Sequence, residues 1–391
     1  MAAKIQVVHV IVGLNVGGAE LMLKRLIEEA QQSRCVDHQV ITLTDVGIVG
    51  AQLQAVGIKV HALKMHSALS APKALFKLVR FIRQNKPTIV QTWMYHADLL
   101  GGLAARLAGN RNVIWGVRTT NVQAGGTPAT TAVMYVCAYL SRWIPRVIVC
   151  AADASRRAHE KVGYDKSRMA VISNGFDLSS LAVTLDQGAS LRAELGIQSD
   201  NVVIGMLGRF NPAKDQQNFV QATGRLARAY PNARFLMVGR GLDWSNAELK
   251  RWIDETGFAS RFILLGERSD VAVCLRAMDM FCLSSRTEGF PNVVGEAMAV
   301  GLPCVVTDVG DAAMLIADTG IVVPKEDSAA LAAGLEKLLL LGQERRSALG
   351  AKAKQRITSD FTIERARQRF ESIYNSLTED ERGKSDVCVD S

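Results

Sequence analysis

Short β-branched runs alternate with helical stretches along nearly the whole of this 391-residue chain. That alternation restricts the fold, because parallel strands need a crossover between them and a helix is the usual one. Seven strands are predicted before a break, at Ile5–Val12, His38–Leu43, Lys59–Leu63, Thr88–Trp93, Asn112–Val117, Arg146–Cys150 and Met169–Ser173. Six more follow a restart, at Val202–Leu207, Arg234–Val238, Arg261–Leu265, Met280–Leu283, Pro303–Thr307 and Gly320–Val323. Between the sets runs a polar, weakly patterned stretch, about 177–200, where the domain boundary is placed. A single core stops growing at roughly 250–300 residues, so two sheets mean two domains. The expected layout is a first domain over 1–180, a second over 195–360, a helix over 361–377 crossing back to the first, and a disordered tail over 378–391. Ligands of doubly wound domains bind outside the C-terminal ends of the strands, which points to a cleft lined by both.

Apolar residues make up 48% and charged residues 21% of the chain, which excludes a disordered protein. The seven cysteines are odd in number and form no Cys-x-x-Cys pair. That pattern argues for a reducing, cytoplasmic compartment and against a disulfide framework or a cysteine-zinc site. The apolar run after Lys4 stops at Gly13, too short for a spanning helix and better explained as the first strand. Charge is unevenly placed: residues 1–177 carry 21 Lys+Arg against 10 Asp+Glu, and the remainder 25 against 28. A basic first half implies an anionic partner, phosphate groups or a membrane surface. No nucleic-acid module is present, and none is expected to bind.

Three stretches carry the chemistry. The first runs from Ser285 to Ala299, after a buried strand and into a helix. Glu288 falls in its loop and Glu296 within the helix, so the two carboxylates can hold two parts of one polyol through charge-assisted hydrogen bonds. Gly289 and Gly295 allow close backbone approach, and the helix start offers N–H groups to a phosphate. The second is Gly208-Arg209-Phe210-Asn211-Pro212-Ala213-Lys214-Asp215, where two cations five residues apart follow a strand. Cations so placed stabilise the charge that grows on a departing diphosphate. Asp215 is read as the cap of the next helix. The third is the glycine-rich loop Gly13-Leu14-Asn15-Val16-Gly17-Gly18-Ala19-Glu20, which lacks the spacing of a dinucleotide fingerprint. In the first half, His96 follows the strand Thr88–Trp93 and is of the right type to exchange a proton with, or donate to, a sugar hydroxyl. Arg118 and Asn121, after the next strand, are weaker candidates. No Asp-x-Asp occurs to hold a catalytic divalent metal.

Glu288 and Glu296 in Glu-Gly-Phe-Pro-Asn-Val-Val-Gly-Glu resemble the E-x7-E motif of retaining GT-B glycosyltransferases, in particular the GT4 family, and Gly301–Gly310 is similar to that family's next strand and loop. The resemblance spans residues 5–375. It implies a GT-B fold, two Rossmann-like doubly wound parallel-sheet domains facing across a cleft. It further implies a metal-independent, cofactor-free enzyme moving a hexose from a UDP- or GDP-linked donor to a saccharide or lipid-linked acceptor, in cell-surface polysaccharide or glycolipid synthesis. By that likeness Arg209 and Lys214 clamp the diphosphate, Glu288 contacts the sugar hydroxyls and Glu296 the ribose. Gly17 and Gly18 face donor phosphate and acceptor; Arg268, Gly289, Phe290, Asn292 and Val293 complete the donor site; Asn15, Arg118 and Asn121 lie on the acceptor side. Asn174-Gly175-Phe176-Asp177 is similar to the family's Asn-Gly-Val-Asp turn near the hinge. The chain departs from the family in lacking its His-x-His form, with Gln91-Thr92-Trp93 there instead.

The segment 71–86 carries five cations beside apolar residues at helical spacing. It reads either as an ordinary surface helix or as peripheral attachment to anionic lipid at the inner face of the cytoplasmic membrane, with Thr130 to Trp143 a second such segment. The competing function classes are a GT-B-fold nucleotide-sugar epimerase, which would share the domains but need no acceptor, and a non-catalytic nucleotide-sugar-binding relative. A nicotinamide dehydrogenase ranks last, for want of its glycine fingerprint.

Overall fold

Among the described residues thirteen strands form where the apolar runs place them, as two parallel sheets. The computed structural model describes residues 4–33, 35–120 and 127–386. The chain divides into one unit of Met1–Gly175 plus everything from Ile363 onward, and a second of Phe176–Thr362. The first holds β1 (Ile5–Ile11), β2 (Val36–Thr42), β3 (Lys59–Ala62), β4 (Ile89–Trp93), β5 (Val113–Val117), β6 (Val147–Cys150) and β7 (Met169–Val171), in the order β3-β2-β1-β4-β5-β6-β7. The second holds β8 (Val202–Leu207), β9 (Ala233–Val238), β10 (Phe262–Leu264), β11 (Met280–Leu283), β12 (Cys304–Thr307) and β13 (Gly320–Val323), in the order β10-β9-β8-β11-β12-β13. Every pairing is parallel, with β1 in register against β2 from Ile5↔Val36 to Ile11↔Thr42. Helices cover both faces, so the central strands β4, β5 and β11 are buried at every residue.

The strand order reverses between β1 and β4 in one unit and between β8 and β11 in the other. Loops leaving the two strands at such a point diverge to opposite sides and open a crevice. Each unit therefore presents its own crevice at the C-terminal ends of its central strands.

Two differences from the sequence reading have local causes. The helix Leu185–Glu194 lies inside the stretch taken for a linker and belongs to the second unit. A reciprocal Thr184/Gln187 capping box starts it, Gly188 lies so close to the Arg276 carbonyl that a Cβ would come within 2.7 Å, and Arg192 reaches Asp279 at 3.1 Å. Its apolar pattern is weak because only Gly188 and Leu191 are buried. The last helix, Ile363–Asp386, extends past Leu377 into the segment expected to be disordered, whose residues 387–391 lie outside the described ones. Glu, Arg and Lys are good helix formers, and the segment continues a helix already nucleated by packing. That helix lays Ile363, Ala366, Phe370, Tyr374 and Leu377 into the first unit's core, beside Leu23, Ile27 and Trp93. Five of the cysteines, Cys137, Cys150, Cys274, Cys282 and Cys304, are buried free thiols acting as small hydrophobes.

Candidate functional site

In the second unit, the loops after β8 and β11 meet. After Gly208 the chain turns through Arg209 and Phe210, and Asn211 caps the short 3-10 turn Pro212–Lys214 by accepting from the Ala213 N–H at 2.9 Å. The turn delivers Lys214, whose Nζ donates to Glu288 Oε1 at 2.7 Å. Ser285 Oγ donates to the same oxygen at 2.6 Å, so the carboxylate is fixed from two sides. The loops are tied together further by Ser284 Oγ to the Lys214 carbonyl (2.9 Å), the Arg286 N–H to the Ala213 carbonyl (2.9 Å), and Thr307 Oγ1 to the Ser285 carbonyl (2.7 Å). Lys214 and Glu288 are mostly buried, with side chains 24% and 11% exposed, which strengthens their attraction over that of a surface pair. Arg209 is exposed, and among the described residues nothing bonds its guanidinium.

Asp215 stands at the N-cap position of the helix Gln216–Ala229 but does not cap it with its side chain. Its left-handed backbone, φ 50°, turns the carboxylate instead onto Arg286, with contacts of 2.9 and 3.0 Å. The pair clamps the two loops at their base.

The helix Asn292–Val300 puts Glu296 on its second turn, half-buried, with Asn292 and Val293 at its start. Two glycines seat this element. A Cβ on Gly295 would come within 2.0 Å of the Phe176 ring, and one on Gly310, at φ 57°, within 2.3 Å of the Gly289 carbonyl oxygen. Phe290 is buried against Phe176 and Phe361, so its ring holds the loop in place while the backbone around it remains the part available to a ligand. Arg268 does not join the group: both arms of its guanidinium are taken by Asp270, at 2.8 and 2.6 Å. A cavity of about 610 Å³ between Arg225, Arg228, Trp252 and Glu255 lies on other elements. The site is identified by converging polar groups rather than by volume.

In the first unit, the crevice between β1 and β4 is rimmed by the glycine-rich loop and by His96. Asn15 and Gly18 are exposed there, and Gly17 is followed at once by the helix Gly18–Ser33. His96 is the second residue of the helix Tyr95–Leu107, which starts where β4 ends. It is half-buried, burial lowers its pKa and so favours the neutral imidazole, and among the described residues it makes no hydrogen bond. Arg118 is otherwise engaged. Its guanidinium lies 4.5 Å over the Trp93 ring and donates to Asn174 Oδ1 at 3.1 Å, which makes it a brace for the turn at Asn174. Asn121 lies outside the described residues.

A buried polar chain behind this rim was not anticipated. Trp93 Nε1 donates to His9 Nδ1 (3.2 Å), and His9 Nε2 pairs with His38 Nδ1 (2.8 Å). On the other face of the sheet Asp98, fully buried, accepts from Thr92 Oγ1 (2.5 Å) and the Gly116 N–H (3.2 Å), and burial pushes its carboxyl up to about 7. Burial lowers His38 to about 4, and lowers His9 well below its usual range through burial and the neighbouring His38. The available signal was a histidine in mid-strand, as in Val8-His9-Val10, where an exposed position is excluded by the apolar run on either side.

Residues 201–340 match a family described as "Glycosyl transferases group 1", and residues 16–180 match "Glycosyltransferase Family 4". Among characterised proteins, a UDP-Gal:alpha-D-GlcNAc-diphosphoundecaprenol alpha-1,3-galactosyltransferase of Escherichia coli is 29% identical over 249 residues, 62% of this chain and 63% of that protein. The chain thus spans a little under two thirds of that relative. A capsular polysaccharide biosynthesis glycosyltransferase, CapM of Staphylococcus aureus, is 25% identical over 80% of this chain and 83% of its own length. The fold is that of Anabaena Alr3699/HepE crystallised with UDP, with a TM-score of 0.84 at 22% identity, over 95% of this chain and all of that one.

Proposed function

The chain belongs to the family 4 glycosyltransferases, and from that premise we propose that it is a retaining, metal-independent enzyme moving a hexose from a nucleoside-diphosphate sugar to a saccharide or lipid-linked saccharide. The observation that carries the reading is the Lys214–Glu288 pair, 2.7 Å apart on adjacent loops at the crevice of the second unit. A fixed cation beside a fixed carboxylate offers a diphosphate and a sugar their separate partners within one ligand's length. Lys214 and the unpaired Arg209 take the charge that develops on the leaving diphosphate, the task a divalent ion performs in other transferases. Glu288 accepts from sugar hydroxyls and Glu296 from the ribose. The sugar's bond to the leaving phosphate oxygen breaks as the acceptor oxygen attacks the same face, and that phosphate oxygen receives the acceptor's proton. Retention then needs no protein nucleophile.

His96, unbonded on the first unit, is assigned to hydrogen-bond the transferred sugar or the acceptor, with Asn15 on the acceptor side and the backbone of Gly17 and Gly18 facing donor phosphate and acceptor. A uridine donor is favoured by the UDP of the Anabaena structure and the UDP-galactose of the Escherichia coli relative. The relatives' roles in capsule and diphosphoundecaprenol-linked synthesis support a cell-surface polysaccharide or glycolipid product, made at the inner face of the cytoplasmic membrane.

A thermal-shift screen against UDP, GDP, ADP and their common sugars, with and without EDTA, tests this. Stabilisation by one nucleotide, unchanged by EDTA and lost in Glu296→Ala, is the expected outcome. Loss of the shift in EDTA would remove metal independence, and no shift with any donor would remove the transferase reading.

A further inference from the structure

Between Asp45 and Asp153 the chain carries twelve Lys and Arg and a single carboxylate, Asp98. Asp98 is fully buried. The surface built from this stretch therefore bears cations alone. Its outer layer in the first unit is three helices packed side by side: Ala71–Asn85, Tyr95–Leu107 and Pro128–Leu140. On the first helix Ala74, Leu78 and Ile82 face inward, while Lys73, Phe76, Lys77 and Arg80 are exposed. On the third, Met134, Cys137 and Ala138 face inward and leave Tyr135 and Tyr139 outside at 54% and 64% exposure. Trp143, 51% exposed, follows four residues on and packs edge-to-face against Tyr139 at 4.9 Å. Arg142 stands beside it, also exposed. Among the described residues no carboxylate pairs with Lys73, Lys77, Arg80 or Arg142.

We propose that this three-helix face docks on an anionic lipid surface, with Tyr135, Tyr139 and Trp143 at the headgroup level and the cations against lipid phosphates. Tyr and Trp are the side chains that favour a membrane–water interface, each having an apolar body and a polar tip. Aromatics alone or charge alone binds weakly, and stable attachment takes both signals together, as here. A second copy of this chain is disfavoured as the occupant, because two carboxylate-free faces repel. No helix among the described residues is long and apolar enough to cross a membrane, so attachment through this face is lateral. The inference deepens the lipid-linked-acceptor reading above and rests on it for its purpose, but not for its test.

The test is flotation of the full chain with vesicles of phosphatidylcholine, alone or mixed with phosphatidylglycerol, with nucleotide-induced thermal shift measured on the same preparations. The wild type is expected to float only with phosphatidylglycerol present. Lys73→Gln/Lys77→Gln/Arg80→Gln should bind about 100-fold more weakly, at roughly fivefold per cation. Tyr139→Ser/Trp143→Ser should weaken binding about tenfold and remove the quenching of tryptophan emission by brominated lipid. Both variants should keep the nucleotide shift, which shows them folded. The proposal is overturned if the protein stays with neither vesicle, floats equally on neutral lipid, or floats unchanged in both variants. It is also overturned if the face instead captures duplex DNA in a manner the same substitutions abolish. Wild type that fails to float yet keeps its nucleotide shift sinks the surface and spares the transferase; wild type that floats without any nucleotide shift does the reverse.

Discussion

In the unit Phe176–Thr362 the strands β8, β11 and β12 contain nothing more polar than buried thiols and the terminal Thr307, and the polar residues gather in the loops beyond them. In the other unit His9, Gln91 and Thr92 sit within the sheet and Asp98 directly behind it, all fully buried. The two share a doubly wound plan, yet one keeps acidic and basic side chains out of its central strands and gathers them in the loops beyond, and the other keeps several polar and ionisable groups in and behind its sheet. A group at a crevice can exchange water for ligand. A group in the interior cannot, and is held at its neutral form by the cost of burying charge. The first arrangement suits binding an anionic donor; the second makes the stability of its own unit respond to pH.

The largest effect that separates the units is expected from Phe370→Ala. Removing this fully buried ring should cost about 3–5 kcal/mol, and urea unfolding should show the loss in the first unit's transition alone. Equal shifts of both transitions would mean that the units do not unfold independently. Lys214→Ala should lower turnover by about 10²–10³-fold while leaving the first unit's melting unchanged. Normal turnover would remove the cation from the mechanism.

The buried titratable groups sharpen the contrast next. Asp98 has a folded pKa raised from 3.8 to about 7, so its contribution is full below pH 4 and is lost as pH rises toward 7. His38 has a folded pKa lowered from 6.5 to about 4, so its contribution is full above pH 6.5 and is lost as pH falls toward 4. The slopes oppose each other, each about 1.4 kcal/mol per pH unit in the window they share. Asp98→Asn should therefore steepen the first unit's gain in stability from pH 5 to 6.5, and His38→Gln should flatten it, since His9 is lowered by burial as well; both are read by chemical denaturation across pH. A smaller effect is expected from the glycines. Gly310→Ala must move backbone at a positive φ and should cost about 1–3 kcal/mol. Gly17→Ala meets only the mobile end of Glu20 and should cost about 0.5 kcal/mol.

The strands were legible because burial on both faces demands continuous apolar runs, and short β-branched runs of that kind between turn residues suit little except a buried parallel strand. Lys214 and Glu288 were legible as residue types at fixed spacings after strands. Their direct contact was not, since no local pattern ties residue 214 to residue 288; only the order β8-β11 brings their loops together. Ser285, which steadies Glu288, was invisible for the same reason. The partners of Arg118 and Arg268 were not legible, because an arginine after a strand looks alike whether it meets a ligand, an indole ring or a nearby aspartate. Asp215 failed as a cap because the αL backbone at that residue points its side chain elsewhere. The helix Leu185–Glu194 escaped because its stability lies in a capping box and a glycine contact rather than in periodicity.

The last helix has a consequence for how the molecule is made. Tyr374 Oη donates to Gln91 Oε1 at 2.5 Å, across 283 residues, and Phe370 completes the wall around Trp93. During synthesis from the N-terminus the first unit emerges early but lacks this wall until the helix from Ile363 has been made. Its core must wait, open along one side, while the continuous second unit emerges and closes on itself. The later-made half is thus the earlier to mature, and emergence of the helix from Ile363 is the step that seals the older one. In pulse-labelled translation, protease should cut the first unit of stalled chains ending before Ile363 and spare the second.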